Sequence, residues 1–153
     1  MKKILITLFL ASVPFNAMAV RDEYLKEELG GLSEEQIRDK ALEICKEEKG
    51  TDKISQAAKS NSPWNEFDLP NVRDGFKSII EDSVSSEVKN SAEFKSKKSL
   101  EDKFVYLRDG NHLKSNSEYS EYVKNLAYES VEPKCKLQLD GIVEIFKKRA
   151  GLE

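Results

Sequence analysis

Cys45 and Cys135 are the only thiols in a chain of 153 residues. What two thiols can do depends on the compartment, and the first residues bear on that. Met1-Lys2-Lys3 is a basic n-region, Ile4 to Val13 is almost wholly apolar, and Ala17-Met18-Ala19 forms an A-x-A cleavage site. This is the layout of a secretory signal peptide, too short to span a bilayer stably. The expectation is that residues 1–19 are removed and that residues 20–153 form one helical domain in the periplasm. In an oxidising compartment an even number of cysteines reads as disulfides. A Cys45–Cys135 bridge would close a loop of roughly 90 residues, and loop-closure entropy then stabilises the fold by about 4–5 kcal/mol. The alternatives are pairing between chains, a nucleophilic thiol and a metal ligand. A nucleophile needs a base, and His112 is the only histidine. A zinc site needs about four ligands, and two Cys with one His fall short. No metal or other cofactor is expected.

Both cysteines fall on helical apolar stripes. Ser33-Glu34-Glu35-Gln36 is a capping box, and Ile37, Ala41, Ile44 and Cys45 follow on one helical face. Gly50 is the expected stop. Thr51-Asp52 can cap a second helix carrying Ile54, Ala57 and Ala58, which runs toward Pro63. Trp64 and Phe67 come next, then a break at Leu69-Pro70-Asn71 with Asn71 as N-cap. Val72, Phe76, Ile79, Ile80 and Val84 make the clearest stripe of the first half, with Gly75 inside it. Ser85 to Ser99 is polar and reads as a weakly packed helix, a loop, or both. Ser99 can cap a helix over Leu100, Phe104, Val105 and Leu107 that stops at Gly110. Ser117 can cap another over Tyr119, Tyr122, Val123, Leu126 and Ala127. Pro133 suits the first turn of a last helix, where its missing N–H costs nothing. That helix carries Cys135, Leu139, Ile142, Val143 and Phe146. Residues 21–32 read as an extension with one short helix around Glu23–Leu29. No segment alternates with period two, so the chain reads as all-α: a single compact helical bundle of five or six helices with one core, stapled by one disulfide.

Charge narrows the function. The chain carries 25 basic and 28 acidic side chains. Residues 1–19 hold two lysines and no acid, so their removal takes the net charge from −3 to −5. A net negative chain has no broad cationic field for nucleic acid, and Lys95-Ser96-Lys97-Lys98 is the one concentrated basic run, read as solvated surface. No further apolar run reaches the ~20 residues of a membrane span. There is no G-x-S-x-G, H-E-x-x-H, Walker A loop or G-x-G-x-x-G. Carboxylate pairs such as Glu34-Glu35, Glu47-Glu48 and Glu81-Asp82 arise by chance on solvated faces when 35% of residues are charged. No enzymatic activity is expected.

The order of segments resembles a known family. A helix ending in Ala41-Leu42-Glu43-Ile44-Cys45 precedes Trp64-Asn65-Glu66-Phe67 and the helix Val72–Val84. A late helix opens with Lys134-Cys135 and closes with Phe146-Lys147-Lys148. This is similar to the periplasmic amidase-immunity proteins of type VI secretion systems, the Rap/Tai family. The likeness covers residues 33–84 and 133–150. The stretch Ser85 to Glu132 is longer than in the family's compact members, and Lys136-Leu137-Gln138-Leu139 lacks the aromatic of their last helix. The resemblance implies an antitoxin-like protein that binds a cognate cell-wall amidase, a papain-like Cys/His hydrolase. It would cover the toxin's cleft, in several members as a homodimer, and perform no chemistry itself.

Two surface elements are the expected contacts. One is the loop Asp109–Ser117, with Asp109, Asn111, His112, Lys114, Ser115 and Asn116. The other is the break around Asp68, Asn71 and Arg73. Two other readings share the bulk features. One is a periplasmic inhibitor of lysozyme-like hydrolases; the other is a periplasmic binding or chaperone module, which would require a sizeable apolar pocket or patch.

Overall fold

The computed structural model describes residues 21–153; the expected signal peptide, residues 1–19, lies outside them. Among the described residues there is no strand, and eight α-helices are joined by turns and one 3-10 segment. They are α1 (Asp22–Leu29), α2 (Glu34–Lys59), α3 (Val72–Ser83), α4 (Ser86–Asn90), α5 (Ala92–Ser96), α6 (Leu100–Asp109), α7 (Ser117–Leu137) and α8 (Leu139–Arg149); the 3-10 segment is Pro63–Glu66. None of these helices is long and apolar enough to cross a membrane.

Two of the expected helix ends are not ends. Gly50 lies inside α2, which continues to Lys59. The glycine is there for packing: a Cβ on it would lie 2.5 Å from Cδ1 of Tyr128. Pro133 lies inside α7 rather than opening a new helix. Its ring removes one backbone bond, but the chain breaks only one turn later, at Gln138. The polar stretch after Val84 contributes two one-turn helices, capped by the Ser85 and Ser91 hydroxyls. Those two raise the helix count above the expected five or six, and α1 forms where the short helix around Glu23–Leu29 was expected.

Where one core was expected, the apolar side chains form two clusters, in two units. The first unit contains residues 21–49 and 131–153. Leu25 and Leu29 of α1, Ile37, Ala41 and Ile44 of α2, and Ile142, Val143 and Phe146 of α8 make its core. The Ser33–Gln36 capping box forms as expected, with Ser33 N–H donating to Oε1 of Gln36 (2.9 Å) and Gln36 N–H to Oγ of Ser33 (3.3 Å). Cys45 and Cys135 are joined in a disulfide within this core, with Cα atoms 5.9 Å apart. Both are buried. Lys147 pairs with Glu34 at 3.0 Å and Arg149 with Asp22 at 2.7 Å, so the basic last turn of α8 reaches α2 and α1.

The second unit contains residues 50–130. Its core is aromatic: Trp64, Phe67, Phe76, Phe94 and Phe104 are all buried, with Val72, Ile80, Leu107 and Val123 around them. Phe76 of α3 is the centre. Trp64, Tyr119 and Tyr122 meet it edge-on, with ring centroids at 5.8, 6.2 and 5.3 Å, and Phe67 stacks on it at 6.1 Å. Gly75, the neighbouring residue, makes room for Tyr122: a Cβ there would collide with the Tyr122 hydroxyl.

Two outcomes follow. Replacing both cysteines by serine removes the constraint on a 90-residue separation and lowers unfolding free energy by about 4 kcal/mol. Urea titration of oxidised wild type against the double variant measures this, and coincident midpoints would contradict it. Gly75→Ala gains up to about 1 kcal/mol of helix propensity but must displace Tyr122, so it destabilises by about 1–3 kcal/mol overall. A rise in melting temperature would show that the ring moves aside freely.

Candidate functional site

The turn between α6 and α7 is built from its backbone outward. α6 ends in a Schellman motif: His112 N–H donates to the Leu107 carbonyl (2.8 Å) and Asn111 N–H to the Arg108 carbonyl (3.0 Å). The left-handed residue such a motif requires is Asn111, with φ 58°, and not the adjacent Gly110. Gly110 is small for another reason, since a Cβ on it would lie 2.8 Å from the His112 ring. That ring stacks on Tyr106 at 5.7 Å. Leu113 is buried and anchors the turn in the aromatic core. Asn116, rather than the expected Ser117, caps α7: its Oδ1 accepts from Tyr119 N–H (2.9 Å), and its Nδ2 donates to the Ser83 carbonyl (2.7 Å).

The turn is therefore ordered at both ends and in the middle. Asp109, Asn111, His112, Lys114 and Ser115 are exposed on it, whereas Asn116 is half-buried and engaged in holding the turn to α3. Asp109 is partly committed as well, accepting from Nε of Arg108 at 2.9 Å.

The second expected element lies elsewhere on the same unit. Asp68 and Asn71 are exposed. Asn71 precedes α3 with φ 59° but makes no side-chain cap. Arg73 lies over the Trp64 ring at 5.7 Å and pairs with Glu101 at 3.7 Å. These residues sit at the N-terminal end of α3, whereas Asn116 bonds to Ser83 at its C-terminal end. Twelve helical residues span about 18 Å, so the two elements are not one site.

Beside the ordered turn lies a groove of about 340 Å³. Ile54, Ala57 and Ala58 of α2, Phe104 and Arg108 of α6, Asn111, Leu113 and Lys114 of the turn, and Tyr119, Ser120 and Val123 of α7 line it. Sequence reading missed its central polar residue, Arg108. That guanidinium donates to the Ser60 carbonyl (2.9 Å), to Oδ1 of Asn61 (3.0 Å) and to Asp109, and it lies over the Phe104 ring at 5.8 Å. Ser60 and Asn61 are 48 and 47 residues away in sequence, so no local pattern announces the contact. A smaller hollow of about 200 Å³ lies near His112, Ser115 and Asn116.

No residue that is polar or charged is buried among the described residues, and no group of three or more His, Cys, Asp or Glu there could hold a metal ion. Burial raises the Tyr119 phenol well above its ordinary value, against a smaller opposing pull from the Arg108 charge. The groove's phenol is thus neutral at physiological pH. No family model matches the chain, and neither a curated protein nor a solved structure is similar to it.

The raised phenol has a sign that can be checked. The folded state holds the Tyr119 proton more tightly than the unfolded chain does. Its stabilising contribution is complete below pH about 10 and is lost as pH rises beyond that value. Tyr122, raised by the same cause, acts in the same direction. Tyr119→Phe is therefore expected to lose less stability than wild type between pH 8 and pH 11. Equal losses in urea midpoint would remove Tyr119 as a source.

Proposed function

We propose that this chain is a periplasmic immunity protein that binds and blocks a cognate peptidoglycan amidase of a type VI secretion system. The observation that carries this reading is the ordered turn after α6. Side chains that present themselves on a fixed backbone lose little freedom when a partner closes over them, so more of the contact energy appears as affinity. Asn111, His112, Lys114 and Ser115 are such side chains. The sequence resemblance supplies the partner class, a papain-like wall hydrolase, and the disulfide suits an oxidising compartment. Inhibition by occupying a cleft needs no chemistry from the inhibitor.

Electrostatics supports the same reading. Residues 21–153 carry a net charge of −5, since both lysines of the first twenty residues lie outside them. That charge steers association with a basic hydrolase, and the association rate falls as salt is raised.

The test uses the full mature chain and a candidate wall amidase, a small Cys/His hydrolase encoded by a neighbouring gene if one is found there. Stoichiometric loss of peptidoglycan cleavage on mixing is expected. Combined alanine replacement of His112, Lys114 and Ser115, which leaves the Asn116 cap intact, should accelerate dissociation at least about tenfold, a loss of about 1.4 kcal/mol or more. Unaltered inhibition by that variant would exclude the turn as the contact. Absence of any inhibited amidase would exclude the function.

A further inference from the structure

We propose that the groove beside the α6–α7 turn is a binding site for a small amphipathic carboxylate, a molecule with one anionic head and an apolar tail such as a medium-chain fatty acid. This inference does not rest on the immunity reading and concerns a ligand rather than a partner protein. Four lining residues, Ile54, Phe104, Leu113 and Val123, make an apolar surface from three different elements and the turn. At about 340 Å³ the groove falls at the lower end of the ~300–1,000 Å³ typical of ligand sites. A water occupies about 30 Å³ of liquid, so the space suits a body of roughly ten heavy atoms.

The charge of the lining selects the head group. Arg108 and Lys114 are both at the groove, and no Asp or Glu lines it. Their roles differ. Arg108 donates three of its five N–H groups to Ser60, Asn61 and Asp109, so it is a fixed donor already paired with Asp109. Lys114 is exposed and has no ion-pair partner among the described residues. Lys114 is therefore the lining cation without an ion-pair partner, and one such charge fits one carboxylate. A polyanion would need more cations than the lining supplies. A neutral hydrocarbon would make no use of the Lys114 charge.

The experiment titrates octanoate, and 1-octanol as the neutral control, into the isotopically labelled full mature chain and follows backbone amide shifts. Saturable octanoate shifts confined to the amides around Ala58, Asn111 and Lys114 are expected, with octanol binding more weakly. Lys114→Gln should weaken octanoate about tenfold, the scale of a hydrogen bond to a charged group, while leaving octanol unchanged. Ala58→Phe, at an exposed position that lines the groove, should abolish both. Absence of saturable octanoate shifts in a folded chain, or equal binding of acid and alcohol that ignores Lys114→Gln, would overturn the assignment. So would an Ala58→Phe chain that fails to inhibit the amidase when octanoate does not bind wild type, because the groove would then receive a partner's side chain. The amidase assay alone decides the immunity reading, so the two can fail separately.

Discussion

The aromatic contact centred on Phe76 is what the second unit depends on. One fully buried ring is touched by rings from the 3-10 segment, from the chain that follows it and from α7. Edge-to-face pairs contribute about 0.5–1.5 kcal/mol each beyond the area they bury, but their geometry matters as much as their energy. Trp64 also meets Phe104 of α6 at 6.3 Å, so α3, α6 and α7 are positioned against a shared set of ring edges. Gly75 belongs to that arrangement, because any side chain there would displace Tyr122 from its place against Phe76.

The exposed turn inherits its order from this core. Leu113 is sunk into the aromatic cluster, and Asn116 ties the start of α7 to the end of α3. The Schellman motif closes the end of α6 before the first anchor and the Asn116 cap opens α7 at the second, with Lys114 and Ser115 exposed between them. His112 is exposed too, yet its stacking on Tyr106 gives it a defined position. A polar loop of this kind costs little to hold still on binding, and that is the physical content of its candidacy as a contact surface.

Much of the fold was legible because its signals are local. The capping box at Ser33, the hydroxyl cap at Ser99, and the stripes through Phe76 and Phe146 depend on residues within a turn or two of one another. The errors came where a residue with a strong local meaning is held by something distant. Gly50 reads as a helix stop, but it is glycine because Tyr128 occupies the space of its side chain. The division into two cores was invisible for the same reason. α2 and α7 each contribute to both clusters: residues up to Lys49 and from Val131 belong to one unit and those between to the other.

The site was legible only in part, and Arg108 shows why. In sequence it is one more charged residue in the last turn of a helix, where a cation is expected from the helix dipole alone. In the structure it is held by a backbone carbonyl and an amide oxygen nearly fifty positions away, and by its own neighbour, Asp109. Those contacts fix a planar donor at the edge of an apolar groove without spending the free charge of Lys114. Lys114, by contrast, was found as a loop residue, because exposure in a turn is a local property. A binding surface that combines one residue of each kind will always be half visible to pattern reading: the exposed charge announces itself, and the fixed donor beside it appears only once the chain is folded.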